Sequence, residues 1–148
     1  MAPSEQLEQR IAQVSAYWST LSEAELQRPL ASGKWSRKEI LGHLVDSAQT
    51  NIRRLVVGQY QPLAHIIYNQ DIWVRAAGYQ TYPTDDLLHL WVLLNRHFAR
   101  IVAQLPASQL EVLTDWGKEK PELVSLGFVA EDYIRHLDHH LEPLYRAT

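Results

Sequence analysis

Apolar residues recur at alternating steps of three and four in long stretches of this 148-residue chain. This spacing places the side chains of a stretch on one face of an α-helix, and a helix with one apolar face must bury it against another element. The sequence has no convincing two-residue alternation of the kind that predicts strands. The pattern therefore predicts an all-α four-helix bundle with long inter-helix connections. The first helix has the seam Leu7, Ile11, Val14, Trp18 and Leu21.

The second helix is predicted to begin after Ser36 and to end at Gly58. Ser36 can cap the N-terminus, and Glu39, three residues later, completes a capping box. Trp35 precedes the cap and is expected to pack on Ile40 as a hydrophobic staple. One apolar face then continues along the helix through Ile40, Leu44, Ala48, Ile52 and Leu55.

The third helix is predicted to begin with Thr84 as its N-cap, because two acidic residues follow where the helix dipole favours negative charge. Pro106 ends that segment, and the fourth helix is predicted from about Ser125 to Tyr145. Pro29 and Gly33 lie in a polar connection between the first two helices. The connection after the second helix is expected to hold a short helix near QDIWVRAA, and that after the third a small hairpin.

Length and composition indicate one globular domain, residues 1–148, with 46% hydrophobic and 21% charged residues. The net charge of −3 argues against nucleic acid as the main partner. Neither a membrane-spanning run nor a secretory leader is recognisable, so we expect a cytoplasmic protein. Because the chain has no cysteine, a bound metal would need His, Asp, Glu or water as ligands.

Three of the seven histidines lie between His136 and His140 in the last predicted helix. At roughly 100° per residue, His136 and His140 lie beside the edge of the apolar stripe, whereas His139 lies opposite its centre. An i, i+4 histidine pair suits two positions of one metal coordination sphere. Such pairs also arise as hydrogen-bonded or solvated boundary residues, so this pattern alone leaves both interpretations open.

A polar strip on the second helix borders its apolar face and consists of His43, Ser47 and Arg54, with Asn51 nearer the core. Such a strip is either plain surface or the wall of a pocket between helices. Asp46, three residues after His43, could orient an imidazole as a hydrogen-bond acceptor or could pair with an arginine in solvent.

Three motifs in order resemble the DinB-like superfamily, in particular its YfiT-like branch: WSRKEILGHLVDSAQTNIRR, YNQDIW and AEDYIRHLDHHLEPLYR. The resemblance implies a four-helix bundle whose metal is held by one histidine of the second helix and an HxxxH pair of the last. In this sequence those ligands are His43, His136 and His140. Asp46, Ser47 and Arg54 also match familiar features: the expected roles are catalytic for Asp46 and Arg54, and cofactor-binding for Ser47 and Arg54.

The resemblance also covers an aromatic pair in the long connection, Tyr68 and Trp73. Between them stand Asn69 and Gln70, where the family often has acidic residues, and this departure weakens any charge-based role for the loop. Packing of the two aromatic rings onto the bundle is the preferred interpretation, ahead of contact with a substrate.

Three neutral imidazoles would leave a divalent ion with an open coordination position, which is typical of reactive sites; Zn, Ni, Fe and Cu all fit. The resemblance implies an enzyme that transfers a low-molecular-weight thiol, such as bacillithiol, to an electrophilic small molecule. One alternative is a metal-dependent hydrolase. Another is a metal-binding stress-response module without turnover, because neither Asp46 nor Asp138 is obviously placed as a general base. A homodimer is also expected, and Val56, Val57 and Val92 are apolar positions outside the main stripes.

Overall fold

The computed structural model describes residues 1–146, and helices dominate its architecture. Two short α-helices, two 3₁₀ helices (Tyr79–Thr81 and Ala107–Gln109) and a two-stranded hairpin lie in the connections between the four long helices. In chain order the elements are α1 (Pro3–Trp18), α2 (Glu23–Gln27), α3 (Arg37–Val57), α4 (Gln70–Ala77), α5 (Thr84–Gln104), β1 (Leu113–Asp115), β2 (Leu123–Ser125) and α6 (Leu126–Leu144). The predicted all-α four-helix bundle is confirmed.

The apolar stripes of the long helices meet in one core. In that core α3 packs against both α5 and α6, and α1 packs mainly against α5. Trp91 of α5 and Leu137 of α6 are among the fully buried side chains, as are Leu7 of α1 and Leu44 of α3. Burial of these stripes supplies the main favourable free energy of the fold. Because α3 lies between α5 and α6, most of its polar residues are also buried, among them His43, Asp46 and Ser47.

The predicted ends of α3 are confirmed. The Ser36 hydroxyl accepts a hydrogen bond from the Glu39 backbone N–H at 3.2 Å, and the Glu39 carboxylate accepts one from the Ser36 N–H at 3.1 Å. Gly58 occupies the C-cap position. The last helix also agrees, since Ser125 caps α6 by accepting from the Phe128 N–H at 3.0 Å.

The prediction that Thr84 caps the third helix is wrong. Thr84 is the first residue of α5, and Pro83 holds the cap position without a side-chain hydrogen bond. The Thr84 hydroxyl instead donates to the carboxylate of Glu23, which also accepts from the buried Lys38 ammonium at 2.8 Å. The Thr84 hydroxyl, which the sequence predicted as a helix cap, therefore binds Glu23, a residue distant in the chain.

The first helix is shorter than its apolar seam suggested. It ends at Trp18, and Leu21 packs against the core from the turn that follows. Ser22 then begins the short helix α2 with its own capping box, in which its hydroxyl accepts from the Glu25 N–H at 3.2 Å. The Ser22 and Glu25 pattern is present in the sequence, but only a polar connection, and no helix, was expected between the first two helices.

The long connections are structured where short elements were expected. The QDIWVRAA segment forms α4, capped by Asn69, whose side-chain oxygen accepts from the Ile72 N–H at 3.0 Å. The hairpin β1–β2 is antiparallel and is joined to the earlier connection by hydrogen bonds from Asp115 N–H (2.9 Å) and the Thr114 hydroxyl (2.7 Å) to the Ala64 carbonyl. This junction brings both connections to one side of α3. In the described part of the chain, no helix is long and apolar enough to cross a membrane.

Candidate metal centre

Three imidazoles from two helices converge on one point. His136 and His140 stand one turn apart on α6, with their Nε2 atoms 3.2 Å from each other. The ring of His43 on α3 lies 4.5 Å from that of His140 and 5.9 Å from that of His136, measured between centroids. One ring nitrogen from each residue lies within 4.8 Å of the other two. Such a cluster can supply three corners of a single coordination sphere.

His43 is completely buried, and within residues 1–146 neither of its ring nitrogens has a hydrogen-bond partner. Its ring lies against Trp35, at 5.1 Å between centroids, and is stacked with Tyr68 at 6.4 Å. Buried polar atoms are normally satisfied, and an unpaired one costs free energy. A metal ion between the three rings would give His43 the partner it lacks, so the residues fit the ion.

All three imidazoles are neutral at physiological pH. Burial, together with the charge that His136 and His140 would carry, lowers the pKa of His43 to about 3. Burial also lowers the pKa of His140 to about 4 and that of His136 below its usual value. A neutral imidazole keeps a lone pair available, and this is the form that binds divalent metals. His139 is exposed, as its position on the helix predicted.

A cavity of about 170 Å³ opens beside His136. Its walls are mainly polar and come from α3, α6, the segment before α4 and the loop between β1 and β2. Tyr68 lies in this wall, and burial raises the pKa of its hydroxyl, so the hydroxyl stays protonated. The lining residues are Ser47, Asn51, Arg54, Ile67, Tyr68, Gln70, Trp116, Lys118, Asp132, Tyr133 and His136.

The polar strip of α3 is buried, and Ser47, Asn51 and Arg54 form part of the cavity wall. The strip is therefore the wall of a pocket and not plain surface. Asn51 donates to the Ser47 carbonyl at 2.9 Å and accepts from the Arg54 Nη1 at 3.2 Å. Arg54 also donates from Nε and Nη2 to the carbonyl of Ile66, at 3.1 and 2.8 Å. The arginine thereby fixes the segment that leads to Tyr68.

Asp46 is buried but faces a different neighbour from either that the sequence suggested. Its Oδ1 accepts a hydrogen bond from the Tyr79 hydroxyl at 2.6 Å, and its Oδ2 has no partner among the described residues. Burial raises the pKa of Asp46 to about 6, although the Tyr79 hydrogen bond opposes this shift. Asp46 lies beside a surface groove between α3 and α4, and the hydrogen bonds of residues 1–146 include none from Asp46 to His43.

The loop between β1 and β2 contributes Trp116 and Lys118, which sequence reasoning did not assign to the site. One oxygen of Asp115 accepts from the N–H groups of Gly117 and Glu122, both at 2.9 Å, and so closes the loop. A Cβ on Gly117 would lie 1.9 Å from the Lys120 carbonyl oxygen, so only glycine fits there. In the sequence, the glycine between Trp116 and Lys118 was the signal that could have predicted a tight, ordered loop here.

Comparison with known proteins agrees with the helical-bundle fold. The fold is similar to that of YfiT from Bacillus subtilis, described as a probable metal-dependent hydrolase with an unusual four-helix bundle topology. The TM-score is 0.86 at 19% sequence identity, over 96% of this chain and 81% of that one. A search of curated proteins gave no significant match. The family model of the DinB superfamily matches residues 6–144, and the chain belongs to that superfamily.

Proposed function

We propose that His43, His136 and His140 hold one divalent metal ion, Zn, Ni or Fe, at the centre of an enzyme site. The observation that carries the proposal is His43, a buried ring without a hydrogen-bond partner among residues 1–146, facing two further imidazoles beside a polar cavity. A divalent ion with three neutral imidazole ligands is a Lewis acid that lowers the pKa of a thiol or water in its open position.

The reaction we propose is transfer of a low-molecular-weight thiol, bacillithiol-like, to an electrophilic small molecule. Arg54 and Ser47 lie in the cavity wall and would bind the thiol cofactor, with Arg54 acting on its charged groups. Tyr68 offers a protonated hydroxyl at the same wall, and together with Trp35 it shields His43 from water. Asp46 would act from outside the cavity, by holding Tyr79 and the turn after α4 against α3.

Hydrolysis is the second candidate, and Asp132 favours it. This residue lines the same cavity as His136, and its carboxylate would be the group that accepts a proton from water there. The similarity to YfiT, itself described as a probable metal-dependent hydrolase, points in the same direction. A site with a positioned carboxylate can therefore serve either chemistry.

Elemental analysis of protein purified without a histidine tag tests the metal centre. We expect about one equivalent of metal in the wild type and in His139→Ala, and loss of the ion in His43→Ala, His136→Ala and His140→Ala. His139→Ala is the matched control, because it removes a neighbouring imidazole that is exposed. Full metal content in His140→Ala would contradict the assignment.

A paired assay separates the two reactions. Consumption of thiol is followed with a halogenated aromatic or an epoxide, and ester or amide cleavage is followed without thiol. Thiol-dependent product from the metal-loaded enzyme supports transfer, whereas metal-dependent cleavage that ignores the thiol supports hydrolysis. Binding of a thiol without product across a broad panel would instead indicate a binding module.

The homodimer stays a prediction: Val56 is 41% exposed, and Val57 and Val92 are partly buried.

A further inference from the structure

Arg54 carries a buried positive charge that the fold does not neutralise. Only 9% of the residue is exposed, and its protein partners are the neutral carbonyl of Ile66 and the amide oxygen of Asn51. Within the described residues no carboxylate forms an ion pair with it. Buried charges are usually paired, because removing them from water is costly. An unpaired guanidinium in a cavity wall therefore indicates that an anionic group comes from a ligand.

A second cation lies over the same cavity. Lys118 is exposed, and it borders both the cavity and the two shallow grooves that adjoin it at the surface. Trp116, from the same loop, places its ring 5.6 Å from the Arg54 guanidinium carbon. Because Asp115 closes this loop, Lys118 extends from an ordered backbone at the cavity mouth.

The negative charge in the wall does not offset both cations. Asp132 supplies a carboxylate there, but it forms an ion pair with Arg135, an exposed residue of α6. In the wall of this cavity, Arg54 and Lys118 therefore carry one positive charge more than Asp132 offsets, and a divalent ion would increase this excess.

We infer that this cavity selects small ligands that carry a carboxylate, which Arg54 receives in the wall and Lys118 attracts at the mouth. The inference rests on the proposed function only in taking this cavity as the ligand site, and it does not require the ion. It narrows the cofactor and substrate class to anions of this kind, and it assigns Lys118 a role in their selection. Uncharged analogues of the same shape would leave the guanidinium without a charged partner.

Isothermal titration of metal-free protein with malonate and with malonamide tests the inference. The two probes share a skeleton and differ in charge. The chelator is dialysed away first, and the buffer is kept at low ionic strength and pH 7.5, so that screening is small. We expect malonate to bind at least tenfold more tightly than malonamide. Equal affinities, or no binding of malonate, would overturn the inference.

Substitutions that change the charge of single residues test where malonate binds. Lys118→Glu should weaken malonate binding about fivefold, and Arg54→Gln should abolish it, while Lys34→Glu, an exposed change of equal charge elsewhere, should leave it unaltered. Because Arg54 also braces Ile66, Lys118→Glu is the decisive variant. Equal weakening by Lys34→Glu would overturn the role of Lys118. Failure of the wild type to bind a metal ion, with malonate binding intact, would refute only the proposed metal centre. Metal binding by the wild type without a preference for malonate would refute only this inference.

Discussion

Buried polar residues on one helix decide what this site can do. His43 lies in the core of α3 with its two ring nitrogens unpartnered among residues 1–146, and Asp46, less than one turn later, has one unpartnered oxygen. Each is costly to bury, but the two costs differ in kind. The proposed ion would offset the cost of burying His43, because it would bind one of the two ring nitrogens and join the residue to α6. Asp46 is partly satisfied by Tyr79, and its remaining cost depends on whether the carboxyl group is charged.

Replacement of Asp46 by asparagine should therefore stabilise the metal-free protein in a pH-dependent way. Burial raises the pKa of Asp46 in the folded state to about 6, above the ordinary value of 3.8. Above pH 6 the folded state carries an unfavourable carboxylate. As the pH falls from 6 towards 3.8, the folded state takes up its proton first, and the penalty disappears. Asparagine carries no such charge at any pH.

Urea denaturation of the wild type and Asp46→Asn at pH 8 and pH 4 measures this effect. The free energy of unfolding of the variant, relative to the wild type, should be higher at pH 8 than at pH 4 by roughly 2–3 kcal/mol. Any fixed cost of the new amide cancels in this comparison. A difference between the two proteins that does not change with pH would contradict the raised pKa.

At the scale of elements, local sequence signals predicted the long helices, and they missed features that depend on contacts between distant parts of the chain. The stripes of the four long helices, the Ser36 cap of α3 and the short helix α4 all follow from local signals. The start of α5 does not, because Thr84 finds Glu23 across the bundle. For the site, periodicity placed His136 and His140 together, but only the family resemblance selected His43. Trp116 and Lys118 were missed, since they come from a loop whose shape depends on tertiary hydrogen bonds.

The contact between α3 and the turn after α4 depends on a missing side chain. A Cβ on Gly42 would lie 2.0 Å from the ring of Tyr79, which is itself 4% exposed and hydrogen-bonded to Asp46. Gly42→Ala gains helix propensity but overpacks this contact, so it should destabilise the protein by about 1–3 kcal/mol. Thermal or urea unfolding measures the loss. Gln49→Ala, an exposed change on the same helix, should stay within about 0.5 kcal/mol of the wild type. Equal stability of the two variants would show that the turn after α4 shifts to accommodate the added methyl group.

For the whole molecule, the proposed ion joins helices that are far apart in the chain, α3 at His43 and α6 at His136 and His140. An ion that binds the folded state stabilises it by mass action, by about 2.7 kcal/mol at a free concentration of 100 times Kd. For a domain of this size, that corresponds to a rise in Tm of roughly 10 °C.

Addition of Zn to metal-free wild type and to His139→Ala should raise the Tm by this amount in scanning calorimetry, whereas His140→Ala should gain little. The rise should also follow the Zn concentration, because each tenfold increase above Kd adds about 1.4 kcal/mol. A full rise in His140→Ala would mean that the ion stabilises the fold from another place, and the bridge between α3 and α6 would then lose its support.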